Sequence, residues 1–173
     1  MPTTNMSQDI EEQFLEAYEH YADALFRHCF FRVYDRELAK DLTQETFCRT
    51  WTYLADGKEI KKIRAFLYRV LHHAIVDEIR RKKPISLDRL IEKGFSPPDE
   101  SASNMDRRLE IQHALQKLVL LEQPERDVLE MRFIDDLSPG EIASVLGVSE
   151  NVISVRIHRG VKKLRQLIHG GQP

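Results

Sequence analysis

Leu137-Ser138-Pro139-Gly140-Glu141-Ile142-Ala143-Ser144-Val145-Leu146-Gly147-Val148-Ser149-Glu150-Asn151-Val152-Ile153-Ser154-Val155-Arg156-Ile157-His158-Arg159 contains two helix starts separated by a tight turn. Ser138 is placed to accept from the open amides of a first turn, with Pro139 at the first helical position. Glu141, three residues on, completes a capping box. Ile142, Ala143, Val145 and Leu146 give this short helix one apolar face. Gly147 suits a left-handed terminus, and Ser149 caps the helix that follows. That second helix is read with Val152, Ile153 and Ile157 inward, and with Arg156, Arg159, Lys162, Lys163 and Arg165 outward.

Small Ala143, the turn at Gly147 and branched Ile153 suit two helices that cross closely. This is the pattern of a helix-turn-helix, whose second helix enters the DNA major groove. An ordinary helical hairpin with a solvated basic face is the plainer alternative. Two caps at the right separation, and no acid after Glu150, favour DNA binding.

The rest of the chain has to be compatible with that end. Its 173 residues suffice for one medium domain or two small ones. Glycine is sparse and helix formers dominate, which points to an all-α fold. The net charge of −2 is modest, but the charges are segregated. Residues 58–83 carry nine Lys/Arg against Glu59, Asp77 and Glu78, a balance of +6. Residues 151–169 carry five Lys/Arg and no acid, whereas residues 92–136 carry eleven acids against six bases. Two basic patches flanking an acidic middle fit a nucleic-acid partner better than the sum suggests.

Cys29 and Cys48 lack the paired spacing of a zinc or redox motif and are read as buried free thiols. No apolar run reaches the ~20 residues of a membrane span, and no signal-peptide core is present, so a cytoplasmic location is expected.

Residues 1–9 are polar and unpatterned, which predicts a loose terminus. An apolar stripe then runs Ile10, Phe14, Tyr18, Tyr21, Leu25, Phe26 and Cys29, predicting a first long helix. Asp35 is a cap for a second, running to about Leu54 with Leu38, Leu42, Phe47 and Trp51 inward. Asp56-Gly57 stops it. After a lysine-rich connection at 58–64, a third helix is expected from about Ala65 to Lys82. Residues 84–106, with Pro84, Pro97 and Pro98, read as a linker. Helical periodicity resumes at Leu109 and continues to Leu121, and Pro124 opens a further helix through Phe133. The spacing therefore predicts two helical domains, 10–83 and 107–169, joined by the 84–106 linker.

Two stretches of the first domain carry more than packing requires. On the second helix Asp41, Gln44, Glu45 and Arg49 share a face opposite Leu42 and Phe47. On the third, bases and aromatic residues interleave from Phe66 to Arg81. Asp41-Leu42-Thr43-Gln44-Glu45-Thr46-Phe47 through Trp51, Phe66-Leu67 through Asp77 to Arg80-Arg81, and Pro124 to Leu164 resemble, in this order, the extracytoplasmic-function type of bacterial sigma-70 RNA polymerase sigma factor. The resemblance implies a division of labour. Asp41, Leu42, Gln44, Glu45, Phe47 and Arg49 would dock on the clamp helices of core polymerase, with the flap as a second contact of the large subunits. Lys58, Lys61, Lys62, Arg64, Arg69, His72, His73, Arg80 and Arg81 would open and hold the promoter's −10 element. Ser149, Asn151, Ser154, Val155, Arg156, His158, Arg159 and Lys162 would read the −35 element. Where the family usually has a basic residue and a serine, this chain has Ser154 and Val155. His73 stands in place of an asparagine, and Phe66 in place of a tryptophan. Regulation by a separate anti-sigma factor is also implied.

A conventional transcription regulator would use the terminal motif alone and leave the Asp41 face and the 58–81 region unexplained. An enzyme would have to start from His72, His73, Asp77 and Glu78. His73 and Asp77 are four apart and could ligate a metal, but no third ligand follows at useful spacing. The reading therefore assigns no cofactor, no metal and no catalytic residue: the chain supplies address and strand opening to polymerase.

Overall fold

A polar start does not prevent a helix where nothing breaks it. The computed structural model describes residues 3–81, 114 and 116–170, and its first helix, α1, spans Thr3–Val33. The loose terminus expected over residues 1–9 is thus helical from Thr3. Residues 3–9 contain neither Pro nor Gly, the two residues that most strongly disfavour a helix. Among the described residues all regular structure is helical. Two compact units divide it, the first holding α1, α2 (Arg36–Ala55) and α3 (Ile63–Arg81), the second α4 (Gln123–Phe133), α5 (Pro139–Leu146) and α6 (Glu150–His169).

Two residues turn α1 into α2. Tyr34 takes a left-handed conformation, φ 51°, and its amide donates to the Phe30 carbonyl at 2.9 Å. A residue with a Cβ pays about 1–2 kcal/mol for that backbone. Asp35 follows as the expected cap, accepting from the Leu38 amide at 3.0 Å. At the other end of α2 the Asp56 amide donates to Thr52 and that of Gly57, φ 77°, to Leu54.

The three helices pack pairwise around Leu25, Cys29, Leu67 and Leu71, none of which retains exposed surface. Tyr68 and Ile75 close this core at 1% exposure. On α2 the inward face is partly threonine. Thr43, Thr46 and Thr50 are buried, and their hydroxyls donate to the carbonyls of Ala39, Leu42 and Thr46 at 2.7, 2.8 and 2.8 Å. Each hydroxyl is satisfied on its own helix, so only methyl groups face the neighbours. Two expectations fail here. Cys29 is buried but Cys48 is exposed. Trp51, expected inward, is 37% exposed and lies edge-on over Phe14, 5.1 Å between centroids.

In the second unit Leu118, Leu121 and Leu129 form a buried cluster onto which Ile157, Val161, Leu164 and Leu167 pack from α6. Val128, Met131, Leu137, Ile142, Val145 and Ile153 complete the apolar interior. Phe133, at the end of α4, is exposed instead. The linker 84–106, the resumption of helix at Leu109 and Ile111, and the ends at Lys82, Lys83 and Gly171 lie outside the described residues.

Candidate nucleic-acid interface

Local chemistry sets the two crossing helices. The Ser138 amide donates to Glu141 Oε2 at 2.8 Å, and the Glu141 amide to Ser138 Oγ at 3.3 Å, a reciprocal capping box. Gly147 ends α5 at φ 66°, and the Val148 amide reaches back to the Ala143 carbonyl at 3.2 Å. Ser149 Oγ then accepts from the Val152 amide at 3.4 Å to start α6. Ile142 and Val145 of α5 and Ile153 of α6 are fully or almost fully buried, as the crossing requires.

Packing of one side of α6 decides what the other presents. Asn151, Ser154, Val155, His158, Arg159 and Lys162 recur at three- and four-residue intervals and are all exposed, as is the cap Ser149. Arg156 is half-buried at the flank. Val152, expected inward, is 39% exposed. Lys163, expected outward, turns to α4, where Nζ donates to Glu125 Oε1 at 3.0 Å and lies 3.6 Å from Glu122 Oε2. The hydrogen bond to Glu125 raises its pKa, and its charge is spent within the unit. The free positive charge of the face thus comes from Arg159, Lys162 and Arg165, with no acid among them.

In the first unit Asp41, Gln44, Glu45 and Arg49 stand exposed on α2, with Glu45 and Arg49 paired at 2.6 Å. Leu42 and Phe47 are 7% and 3% exposed, so they lie beneath this face and form no part of its surface. Exposed Cys48 sits in its middle.

Lys58, Lys61 and Lys62 are exposed in the connection to α3, which buried Ile60 pins down. Arg69, His73, Arg80 and Arg81 are exposed along α3, while Arg64 and His72 are half-buried. The structure adds Tyr53, absent from the sequence assignment. Its ring lies 4.9 Å from that of Phe66, with Lys58 Nζ 5.0 Å from the Tyr53 centroid and Arg69 Cζ 6.0 Å from the Phe66 centroid. The result is a row of two aromatic rings flanked by two cations, the kind of surface on which unpaired bases stack. Tyr53 and Phe66 belong to different helices, so no spacing in the sequence relates them. Among the described residues no three His, Cys, Asp or Glu side chains come together as metal ligands.

A helix-turn-helix whose second helix carries no acid after Glu150, joined in one chain to a three-helix unit carrying a basic, aromatic end, defines a DNA-binding protein of transcription. Residues 17–85 match the family description Sigma-70 region 2, and residues 108–164 match Sigma-70, region 4. The chain belongs to the extracytoplasmic-function (ECF) subfamily of the sigma-70 RNA polymerase sigma factors, the subunits that direct transcription initiation. It is 31% identical over 153 residues to the ECF sigma factor SigL of Mycobacterium tuberculosis, covering 86% of this chain and 84% of the relative. To the ECF sigma factor SigW of Bacillus subtilis it is 26% identical over 171 residues, covering 90% and 89%. Its fold is shared with CnrH, solved with the cytosolic domain of CnrY, at a TM-score of 0.68 and 22% identity, each chain covered to 96%. It is also shared with RpoE of Bartonella quintana, solved with the anti-sigma factor NepR, at 0.67 and 17%, covering 95% of this chain and 99% of that one. No described helix is long and apolar enough to cross a membrane.

Proposed function

We propose that the work of this sigma factor is divided along the chain, with residues 10–83 and 107–169 as the functional domains and 84–106 as their connection. The exposed Asp41, Gln44, Glu45 and Arg49 face docks on the clamp helices of core polymerase, and buried Leu42 and Phe47 hold that face in shape. The flap is the second contact of the large subunits. Lys58, Lys61, Lys62, Arg64, Arg69, His72, His73, Arg80 and Arg81 meet the −10 element, the cations on phosphates and the interleaved rings on unpaired bases. On α6, Ser149, Asn151, Ser154 and Val155 reach base edges of the −35 element, while Arg156, His158, Arg159 and Lys162 position it through the backbone. The chain carries no catalytic group in this scheme: phosphoryl transfer belongs to the polymerase, in the cytoplasm.

The observation that carries the reading is the face of α6, basic and without an acid after Glu150, in the same chain as an exposed carboxylate face on α2 that internal packing does not use. A conventional regulator would have a use for only the first. That a structurally similar sigma factor was solved bound to an anti-sigma factor supports a separate inhibitory partner here as well. Gel filtration with core polymerase tests the docking assignment. The wild-type chain co-elutes with core, and the double variant Asp41→Lys, Glu45→Lys elutes apart with unchanged helicity. A wild-type chain that elutes apart from core would refute the reading.

A further inference from the structure

Two valines interrupt the polar face of α6. Val155 is 47% exposed and Val152 39%, although Ile153 between them is fully buried. They are three residues apart and so are neighbours on the helix surface. Packing within the unit does not call for either, because Ile153, Ile157, Val161 and Leu164 already cover the inward side. Around the valines stand Asn151, Ser154, His158 and Arg159, and the one acid of α6, Glu150, opens the helix. The pair lies in the first turns of α6, at the end of a recognition helix that approaches base edges.

In the major groove the base edges offer hydrogen-bond donors and acceptors, and one apolar group, the C5 methyl of thymine. We propose that Val155, with Val152 beside it, packs on a thymine methyl of the −35 element and is a specificity determinant of this chain. The inference rests on the assignment of α6 to that element. The basic residues further along α6 bring the helix into the groove whatever the sequence, whereas Val155 favours the one base that carries a methyl.

The test uses core polymerase loaded with the full chain. A −35 duplex is first selected from a random library, and each thymine in it is then replaced singly by deoxyuridine, which removes only the methyl. At one position the replacement weakens binding about fourfold, the effect of one buried methyl-sized group. With Val155→Ser that discrimination disappears, and with Val155→Thr, which keeps a methyl, part of it remains. A selected sequence indifferent to the loss of every methyl, or a penalty that survives Val155→Ser, would overturn the inference alone; the valines would then suit a protein partner. Failure to select any −35 sequence would overturn the assignment of α6 and the inference with it.

Discussion

Gly160 of α6 lies directly against Leu129 of α4: a Cβ on the glycine would stand 3.0 Å from Leu129 Cδ1, 3.1 Å from Cγ and 3.3 Å from Glu125 Cβ. The recognition helix is therefore seated on α4 by the absence of a side chain, and its outward face is fixed by that contact as much as by the turn at Gly147.

Gly160→Val is expected to push α6 away from α4 at a cost of roughly 1–3 kcal/mol. Trp51 is the sole tryptophan and belongs to the first unit, so its fluorescence reports that unit alone. Melting followed by circular dichroism should show an earlier transition, while the Trp51 transition stays in place. An unchanged dichroism melt would mean that the contact is looser than the geometry implies.

Lys163 and Arg159 each contribute one positive charge to α6 but are expected to behave differently. Arg159→Ala should lower the salt slope of −35 binding by about one unit. Lys163→Ala should leave the slope unchanged and lower the melting temperature, because it strands nearly buried Glu125. The pH dependence follows from the same pair. The lysine pKa is raised in the fold, above its ordinary 10.5, first by the hydrogen bond to Glu125. Its contribution to stability is therefore complete below that ordinary value, and is lost only as pH rises through the higher folded one. Melting from neutral pH to strongly alkaline pH, compared between wild type and Lys163→Ala, measures it.

Much of this arrangement is legible in the sequence because caps are local. Asp35, Ser138 with Glu141, Gly147 and Ser149 each act within about one turn of chain, and each is found where sequence places it. What was not legible depends on contacts between distant residues or on polar groups satisfied out of sight. Lys163 meets Glu125 across 38 residues. The α2 threonines look like a solvated face, but each returns its hydroxyl to the turn before. Cys48 stands beside apolar Phe47 in the sequence, yet one step along a helix turns a side chain far around the axis. The Tyr53–Phe66 pair bridges two helices and has no sequence signature.

The two thiols offer a direct probe of the α2 face. Cys29 is buried, and that burial pushes its pKa up to about 12 against a smaller lowering by Arg32. In the native chain a maleimide should therefore label Cys48 and spare Cys29 at neutral pH. A bulky adduct on Cys48, among Asp41, Gln44, Glu45 and Arg49, should block association with core polymerase, and bound polymerase should protect the thiol. Labelled chain that still binds core would place the docking face elsewhere.

Charge reversal of the same face separates docking from folding. Glu45 is lost only from an exposed ion pair with Arg49, worth about 0.2–0.5 kcal/mol on a helix. The double variant Asp41→Lys, Glu45→Lys should thus melt within a few degrees of wild type by both dichroism and Trp51 fluorescence. A collapse of the first unit would instead make these carboxylates structural.

The central claim is that this one chain gives core polymerase both of its promoter addresses. In vitro transcription with purified core over a library randomised across the promoter tests it most directly, with the sequences of productive templates as the readout. Transcripts are predicted only when the chain is present, from templates that share two fixed-spacing elements, with Arg159→Ala lowering output from all of them rather than changing the upstream sequence. Transcription independent of the chain, or templates sharing no upstream element, would contradict the account.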